Sequence, residues 1–583
     1  MNKILTRKFA WAAAAVLLLF QAGAQELKPV KYVFLFIGDG MSYPQREAAD
    51  RYLKTLGRSP LLINSMPYNR STRTVAANNV VTDSAASGTA IATGSKTNKG
   101  YLGIAPDKSP LYSCAVTARK NGRKVGILTT VTLNNATPAA FYGHQDNRHN
   151  YYQLGIELVK SNFDYFAGGA IADAMPRKNV RPENIPALKQ RVMDLEAEIQ
   201  RFQTNNDRIN RLRSEAQKAG DKAKVTAFTK EKQENSRKWA KVHTELRLAQ
   251  RDLKCAEDFV GNIVSHAAKQ GYLTVTSSRP KDRIAALKPG KQEKVLAFGK
   301  LQNGGTIPWA IDAAVDPEAT SLAFLTAKGI ELLDNPDGFF MMVEGGKIDW
   351  GCHGNDLGTM IHEMIAFDEA VKVAADFAKK HPDDTLIVVT GDHETGGLEF
   401  CGKSDFSILN AQKHSSEYFS TRLRRLKSSS ETDKIAKSKQ LVTDVFGLQF
   451  SGSGPMAMSG DEKNALEGAL YRALGEKSSV EAGFYSTAEA AIKAGKNPGA
   501  VAIANLLVSR RAGVKWNTQG HSALPVRTSA MGAQAEQFLR PGTLTAEQKK
   551  MHHTHNPNIT IPAPEIDNTD IGLRMKQVVA PVR

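Results

Sequence analysis

Cysteine is scarce, with four residues in 583, at Cys114, Cys255, Cys352 and Cys401. They lie far apart and form no CxxC pair, which excludes a disulfide-built scaffold. Four cysteines allow three full pairings, and the sequence does not choose among them. Long apolar runs are missing beyond the N-terminus. No later segment holds 18 uninterrupted apolar residues, so no further membrane-spanning helix is expected. There are no internal repeats and no long low-complexity tracts. Negative charge is in deficit, with 59 Asp and Glu against 77 Lys and Arg, a net of +18. That balance attracts anions, acidic surfaces or nucleic acid without specifying a fold. Apolar residues at 41 % and charged residues at 23 % exclude global disorder and fibrous architectures.

The N-terminus has the layout of a secretory signal. Lys3, Arg7 and Lys8 precede the apolar stretch from Phe9 to Phe20, and Ala22-Gly23-Ala24 fits the small-x-small cleavage rule. The stretch is too short to cross a bilayer, which takes about 20 residues. The expectation is a signal peptide over 1–24 and a protein that is periplasmic or secreted, with no transmembrane segment after cleavage.

Three apolar runs end in polar clusters. Tyr32 to Ile37 leads into Gly38-Asp39-Gly40, Gly338 to Val343 into Glu344-Gly345-Gly346-Lys347-Ile348-Asp349, and Thr385 to Thr390 into Gly391-Asp392-His393. Short, continuous, β-rich runs predict strands buried on both faces of a parallel sheet. Helical patterns such as Leu357 to Lys380 separate them, which gives an α/β alternation. Ligands in such sheets sit beyond the carboxyl ends of the strands, where all three acidic clusters fall.

Two stretches interrupt this alternation. From Leu188 to Ile209, and again from Trp239 to Ala256, apolar residues step by three and four, with Gly220-Asp221 between the two patterns. This predicts an antiparallel coiled-coil-like helical hairpin with a short seam of two to three heptads per helix. Its other faces are rich in Lys, Arg and Gln. They read as solvated, with a basic arm for nucleic acid, another polyanion or a second subunit as the alternative. Between His393 and His521, Ser/Lys-rich loops (Lys427 to Lys439) mix with helical segments (Asp461 to Leu474, Ser486 to Lys493), as in a lid over the strand ends. The expected organisation is a core in three parts, 25–184, 257–400 and 512–583, with a hairpin insertion at 185–256 and a lid-like, crown-like insertion at 401–511.

Asp39, Glu344, Asp349, His353, Asp392, His393 and His521 are oxygen or imidazole donors at element ends. The imidazole-rich part suits Zn²⁺ and the oxygen-rich part Mg²⁺. Asp349 and His353 share a face if their turn is helical. Asp392 and His393 can both reach a site only if the chain turns after the strand, which Gly391 permits. Thr82-Asp83-Ser84-Ala85-Ala86-Ser87 opens a small-residue helix. Asp83 or Ser84 would cap it, and a serine there feels backbone dipoles that favour an alkoxide and an incoming phosphate.

Six segments, in order, resemble the alkaline phosphatase family: Asp39-Gly40-Met41, Thr82 to Ser87, Asn135-Ala136-Thr137-Pro138-Ala139, Val343 to Asp349, Gly391-Asp392-His393 and Gly520-His521. Arg148, Phe163 to Gly169, Gly271-Tyr272 and Asp567 to Asp570 fit as well. The resemblance covers most of 30–183, 257–400 and 512–580, and leaves out the hairpin and most of the lid-like insertion. It implies a three-layer α/β/α sandwich with a mostly parallel central sheet. It also implies hydrolysis of phosphate monoesters over a broad range, with two Zn²⁺ and one Mg²⁺. Ser84 then resembles the phosphorylated nucleophile, and Arg148 the guanidinium that holds two phosphate oxygens. Asp349, His353 and His521 resemble the ligands of one zinc, and Asp39, Asp392 and His393, with Ser84, those of the second. Asp39 also resembles a bridge to a magnesium completed by Thr137 and Glu344. Family members are often dimers, so a homodimer is an expectation whose interface the sequence does not show.

Two positions depart from the better-known members. Asn135 stands where Asp or His often neighbours the magnesium. Trp350 stands where Lys or His is common; Trp at this place resembles a bacterial subgroup of the family, and it is expected to wall the substrate pocket. The rivals are a phosphodiesterase or sulfatase on the same scaffold and a degenerate binding protein. Ser84-Ala85-Ala86-Ser87-Gly88 lacks the sulfatases' Cys/Ser-x-Pro-x-Arg motif, and no expected ligand is missing. His144 and His149 read as orienting or surface residues, Asp356 as structural, and His552, His553 and His555 as a solvated loop. Lys96 and Lys99 are expected to raise the positive potential beside Ser84.

Overall fold

The computed structural model describes residues 27–291, 293–477, 498–550 and 559–581. The signal segment, the helix expected over Ser486 to Lys493 and the His552, His553 and His555 cluster lie outside the described residues. The chain divides into two compact units. One comprises His149–Lys160 and Ile171–Gln270, and the other holds the rest.

In the larger unit the strands, in chain order, are β1 (Tyr32–Gly38), β2 (Tyr68–Arg73), β3 (Lys124–Thr129), β4 (Tyr165–Gly168), β5 (Tyr272–Val275), β6 (Lys294–Phe298), β7 (Phe339–Gly345), β8 (Thr385–Gly391), β9 (Glu394–Thr395), β10 (Leu398–Phe400), β11 (Val514–Trp516), β12 (His521–Ser522), β13 (Val526–Gly532) and β14 (Ile566–Asp567). Ten of them form one sheet in the order β14-β2-β13-β8-β1-β7-β3-β4-β6-β5. Only β13 runs against the others. The three apolar runs read from the sequence are its centre, buried at every residue of β1, β7 and β8.

Helices cover both faces of the sheet. On one, Phe367 and Phe377 of the helix Leu357–Lys380 meet Phe36 and Phe34 of β1 edge-on. On the other, Phe141 packs against Phe340 of β7. Helices Ser416–Ser428, Lys434–Phe446, Gly460–Leu474 and Ala500–Arg511 join through Phe419, Val442, Phe446, Leu466 and Leu507. The loop expected over Lys427 to Lys439 is therefore mostly helix. Asp433 accepts a hydrogen bond from the Ala436 amide at 3.3 Å and starts a new helix there, a local cap that the Ser/Lys-rich composition hides.

The smaller unit contains the helical hairpin, Ile185–Lys218 and Lys222–Glu257. Gly220 has a φ of +71°, and the Asp221 carboxylate caps the second helix at Lys224. Val192, Leu195, Val242 and Ala249 form its seam, with Ile199, Phe202, Leu246 and Leu253 against them. The pairing is longer than the short seam expected, because the second helix begins well before Trp239. Its first half carries a polar layer that breaks the apolar period. The Asn235 amide nitrogen donates to Asn206 Oδ1 at 2.8 Å and to the Phe202 carbonyl at 3.1 Å, and Asn205 donates back to Asn235 Oδ1 at 3.0 Å. All four cysteines are free thiols, three buried and Cys401 exposed.

Candidate active site

Strand register assembles the site. Gly38 pairs with Gly345 on one side and Gly391 on the other, so the carboxylates of Asp39, Glu344 and Asp392 arrive at one edge. Two glycines make the approach possible. A Cβ on Gly391 would sit 2.0 Å from the Met41 carbonyl oxygen, and Gly40 has a φ of +72° with the Asp349 backbone against it.

Ser84 opens a ten-residue helix, Ser84–Thr93, that is buried throughout. Its cap is Asp83, which accepts from the Ala86 amide at 3.0 Å. Ser84 Oγ lies 3.2 Å from His393 Nε2 and 3.4 and 3.5 Å from the Asp39 oxygens, where the N-terminal dipoles also point. His393 Nε2 in turn is 3.3 Å from Asp39 Oδ1 and 3.3 Å from Asp392 Oδ2.

The turn carrying Asp349 and His353 is helical, Lys347–His353, and sets Asp349 Oδ2 3.1 Å from His353 Nε2. His521 Nε2 is 3.3 Å from His353 Nε2 and 3.8 Å from Asp349 Oδ1, and its ring stacks on His393 at 3.6 Å. Each imidazole is tethered through Nδ1, His353 to the Gln519 carbonyl, His521 to the Thr82 carbonyl at 3.0 Å and His393 to Thr395 Oγ1 at 3.2 Å. Every Nε2 is thus turned inward, the arrangement that orients metal-binding histidines.

The oxygen-rich corner is left open. Glu344 Oε2 accepts from Thr129 Oγ1, but Glu344 Oε1 makes no hydrogen bond of good geometry, Thr137 Oγ1 has only the Glu344 carboxyl near it, and Asp392 Oδ2 has the His393 imidazole beside it at 3.3 Å. Orphaned buried oxygens are costly unless something binds them. Burial raises Glu344 to about 7 and Asp392 to about 8, with added repulsion from Asp349. Burial and Asp392 push Asp39 up as well. Burial holds His393 and His521 below the ordinary imidazole value. Burial also acts to raise Asp349, but the His353 hydrogen bond and three nearby imidazoles hold it low. Cations would relieve both the repulsion and the orphaned oxygens, so this donor set fits bound metal.

Arg148 is half-buried, with Nη1 3.3 Å from Asp83 Oδ2. Sequence reasoning treated Asp83 only as a cap and missed this second contact. It also missed Thr129 and Thr395, which hold Glu344 and His393; Thr395 donates to Asp349 Oδ1 at 2.5 Å too. Only their nearness to the acidic clusters could have marked them. Asn135 caps its own turn, accepting from the Ala136 amide at 2.6 Å. Trp350 is 36 % exposed. Asp356 caps the helix Leu357–Lys380 and accepts from Gln412 and Ser416, a structural tie. Lys96 is half-buried and paired to Asp567 at 2.7 Å, which offsets part of its charge.

An α/β sandwich that gathers carboxylates, inward imidazoles and a helix-terminal serine at its strand ends has the makings of a metal-dependent hydrolase. Comparison with known proteins names the kind. The family model for alkaline phosphatase matches residues 30–167 and 258–555. Alkaline phosphatase 4 of Bacillus subtilis is 26 % identical over 410 residues, 67 % of this chain and 68 % of that protein. The repressible alkaline phosphatase of Saccharomyces cerevisiae is 26 % identical over 530 residues, 86 % of this chain and 75 % of its own. The fold is also that of a cold-active alkaline phosphatase from a psychrophilic Shewanella species (22 % identity, TM-score 0.60, 94 % of this chain and 99 % of that one). The chain belongs to the alkaline phosphatase family, and its activity is that of a phosphoric monoester hydrolase. Among the described residues no helix is long and apolar enough to cross a membrane.

Proposed function

We propose that the chain hydrolyses phosphate monoesters of broad variety through a phosphoserine on Ser84, with two Zn²⁺ and one Mg²⁺ as resident ions. Asp349, His353 and His521 would hold one zinc, Asp39, Asp392 and His393 the other, and Asp39, Thr137 and Glu344 the magnesium. When bound, these ions supply Lewis acidity that lowers the pKa of a hydroxyl or water and offsets charge on the leaving oxygen. Ser84 Oγ attacks phosphorus in line, forming the Oγ–P bond as the bond to the alcohol oxygen breaks. Water then attacks the same phosphorus, Ser84 is restored and inorganic phosphate departs. Two such displacements retain configuration at phosphorus. Arg148, held by Asp83, grips two phosphate oxygens as a planar fork that lysine cannot copy. Trp350 walls the entrance.

The observation that carries this reading is the position of Ser84 Oγ, 3.2 Å from His393 Nε2 at a helix N-terminus. Radiolabelled phosphate followed by an acid quench should leave label on Ser84, and label mapped to another residue overturns the assignment. A nitrophenyl monoester should be turned over far faster than its diester. Residues 1–24 support export to the periplasm or beyond. Fractionation of expressing cells tests that, and retention in the cytosol contradicts it.

A further inference from the structure

A second basic feature of the larger unit plays no part in this chemistry. Arg46, in the helix Tyr43–Thr55, and Arg527, in β13, meet at a cleft of about 660 Å³ also lined by Tyr43, Asn64, Ile559 and Pro562. Arg46 is 2 % exposed. Its Nη1 reaches Ser529 Oγ at 3.1 Å and the Ile63 carbonyl only at 3.5 Å, and its Nη2 donates to the Arg527 carbonyl at 2.9 Å. Arg527 donates through Nη2 to the Asn64 carbonyl at 3.3 Å. The Nε atoms of both arginines have no partner.

Among the described residues no carboxylate forms an ion pair with either guanidinium. The two acids of the same cleft are engaged elsewhere. Glu47 pairs with Arg51 at 2.8 Å, and Asp50 accepts from the Leu61 amide at 2.8 Å and from the Asn64 side chain at 2.7 Å. Another deeply buried arginine shows what a purely structural guanidinium looks like here. Arg123 donates to four backbone carbonyls, those of Val30, Lys31, Val578 and Ala580. Arg46 is closed less fully, donating to two carbonyls and a serine while its Nε has no partner, and burial together with the neighbouring Arg527 charge pushes it down to about 9 against the opposing pull of Tyr43, Asp368 and Asp50. Burying a cation beside a like charge is unfavourable unless an anion completes the set.

We propose that the Arg46–Arg527 cleft is a second oxyanion site, separate from the Ser84 centre, that takes the phosphate group of inorganic phosphate or of an organic phosphate. Guanidinium pairs suit tetrahedral oxyanions. The cleft is larger than phosphate alone requires, and Ile559 and Pro562 offer an apolar wall to an organic body.

Equilibrium dialysis of the metal-loaded full chain with inorganic phosphate tests this. Two sites per chain are expected. Arg46→Met and Arg527→Met should each weaken one of them at least tenfold while leaving hydrolysis of a nitrophenyl monoester within twofold. Methionine at a buried cation position is tolerated sterically, and the more exposed Arg527 supplies the second variant should Arg46→Met fold poorly. Competition by phenylphosphonate at this site assigns it to organic phosphates, and failure to compete assigns it to inorganic phosphate. A single site in the unaltered chain, two sites that persist in both variants, or loss of binding together with hydrolysis overturns the proposal. The readout is binding, so it stands or falls apart from the phosphoserine reading.

Discussion

Asn235 and Glu344 are both buried polar side chains, and their surroundings treat them in opposite ways. In the hairpin, Asn235 spends its amide on Asn205, Asn206 and the Phe202 carbonyl, and the layer is closed on itself. At the strand ends, Glu344 Oε1, Thr137 Oγ1 and Asp392 Oδ2 are enclosed with no well-formed hydrogen bond, facing only one another and the His393 imidazole. A closed polar layer fixes register, as single asparagines do in coiled coils. An open one is kept for a ligand, and the fold bears its cost until the ligand arrives.

The sharpest way to break it is at the serine. Ser84→Ala should lower monoester hydrolysis by roughly 10³-fold or more in steady-state assays, and no phosphoenzyme should form. Removal of the ions should have the next largest effect. A chelator should abolish turnover, and zinc with magnesium should restore it. The sign of the pH effect follows from the raised carboxyls. Burial raises Asp392 to about 8 and Glu344 to about 7, so at neutral pH the first is mostly and the second partly protonated, and bound cations must displace those protons. Zinc and magnesium loading of the stripped protein at pH 7 should therefore release protons into weak buffer. Affinity measured by competition should fall as pH drops through that range. Unchanged affinity from pH 8.5 to 6 would contradict the open-cluster reading.

Paired substitutions test the contrast itself. Asn235→Leu leaves two asparagines without their partner and should cost about 1–3 kcal/mol, read as earlier melting of the hairpin, with hydrolysis unaltered. Thr137→Val removes an oxygen whose one neighbour is the Glu344 carboxyl and that makes no well-formed hydrogen bond. Stability of the metal-free protein should shift by less than about 0.5 kcal/mol, while magnesium affinity should drop about tenfold or more. Equal destabilisation by the two changes would erase the distinction. The smallest effect belongs to an exposed polar group, the cap of Lys434–Phe446. Asp433→Ala should cost about 1 kcal/mol in denaturant melts and leave metal binding alone.

Much of this site was legible because parallel strands buried on both faces announce themselves as unbroken apolar runs. Tyr32 to Ile37, Gly338 to Val343 and Thr385 to Thr390 gave the three central strands to within two residues, and the acids that follow them had to land together. Asp349 and His353 needed only helical spacing. What stayed hidden depends on contacts between residues distant in the chain. Nothing local links Asp83 to Arg148, Thr129 to Glu344 or Lys96 to Asp567. Asn235 was overlooked because a polar residue in a seam lowers the periodic signal that reveals the seam. Lys427 to Lys439 misled by composition, since Ser and Lys serve loops and exposed helix faces equally well.

The account rests on zinc bound between the imidazole group and the carboxylate group, with Ser84 facing it. Anomalous diffraction at the zinc edge from crystals of the purified, zinc-replete protein addresses this directly. Two peaks are predicted about 4 Å apart, one among Asp349, His353 and His521 and the other among Asp39, Asp392 and His393 beside Ser84. No zinc peaks there, or zinc bound only elsewhere on the chain, would contradict it.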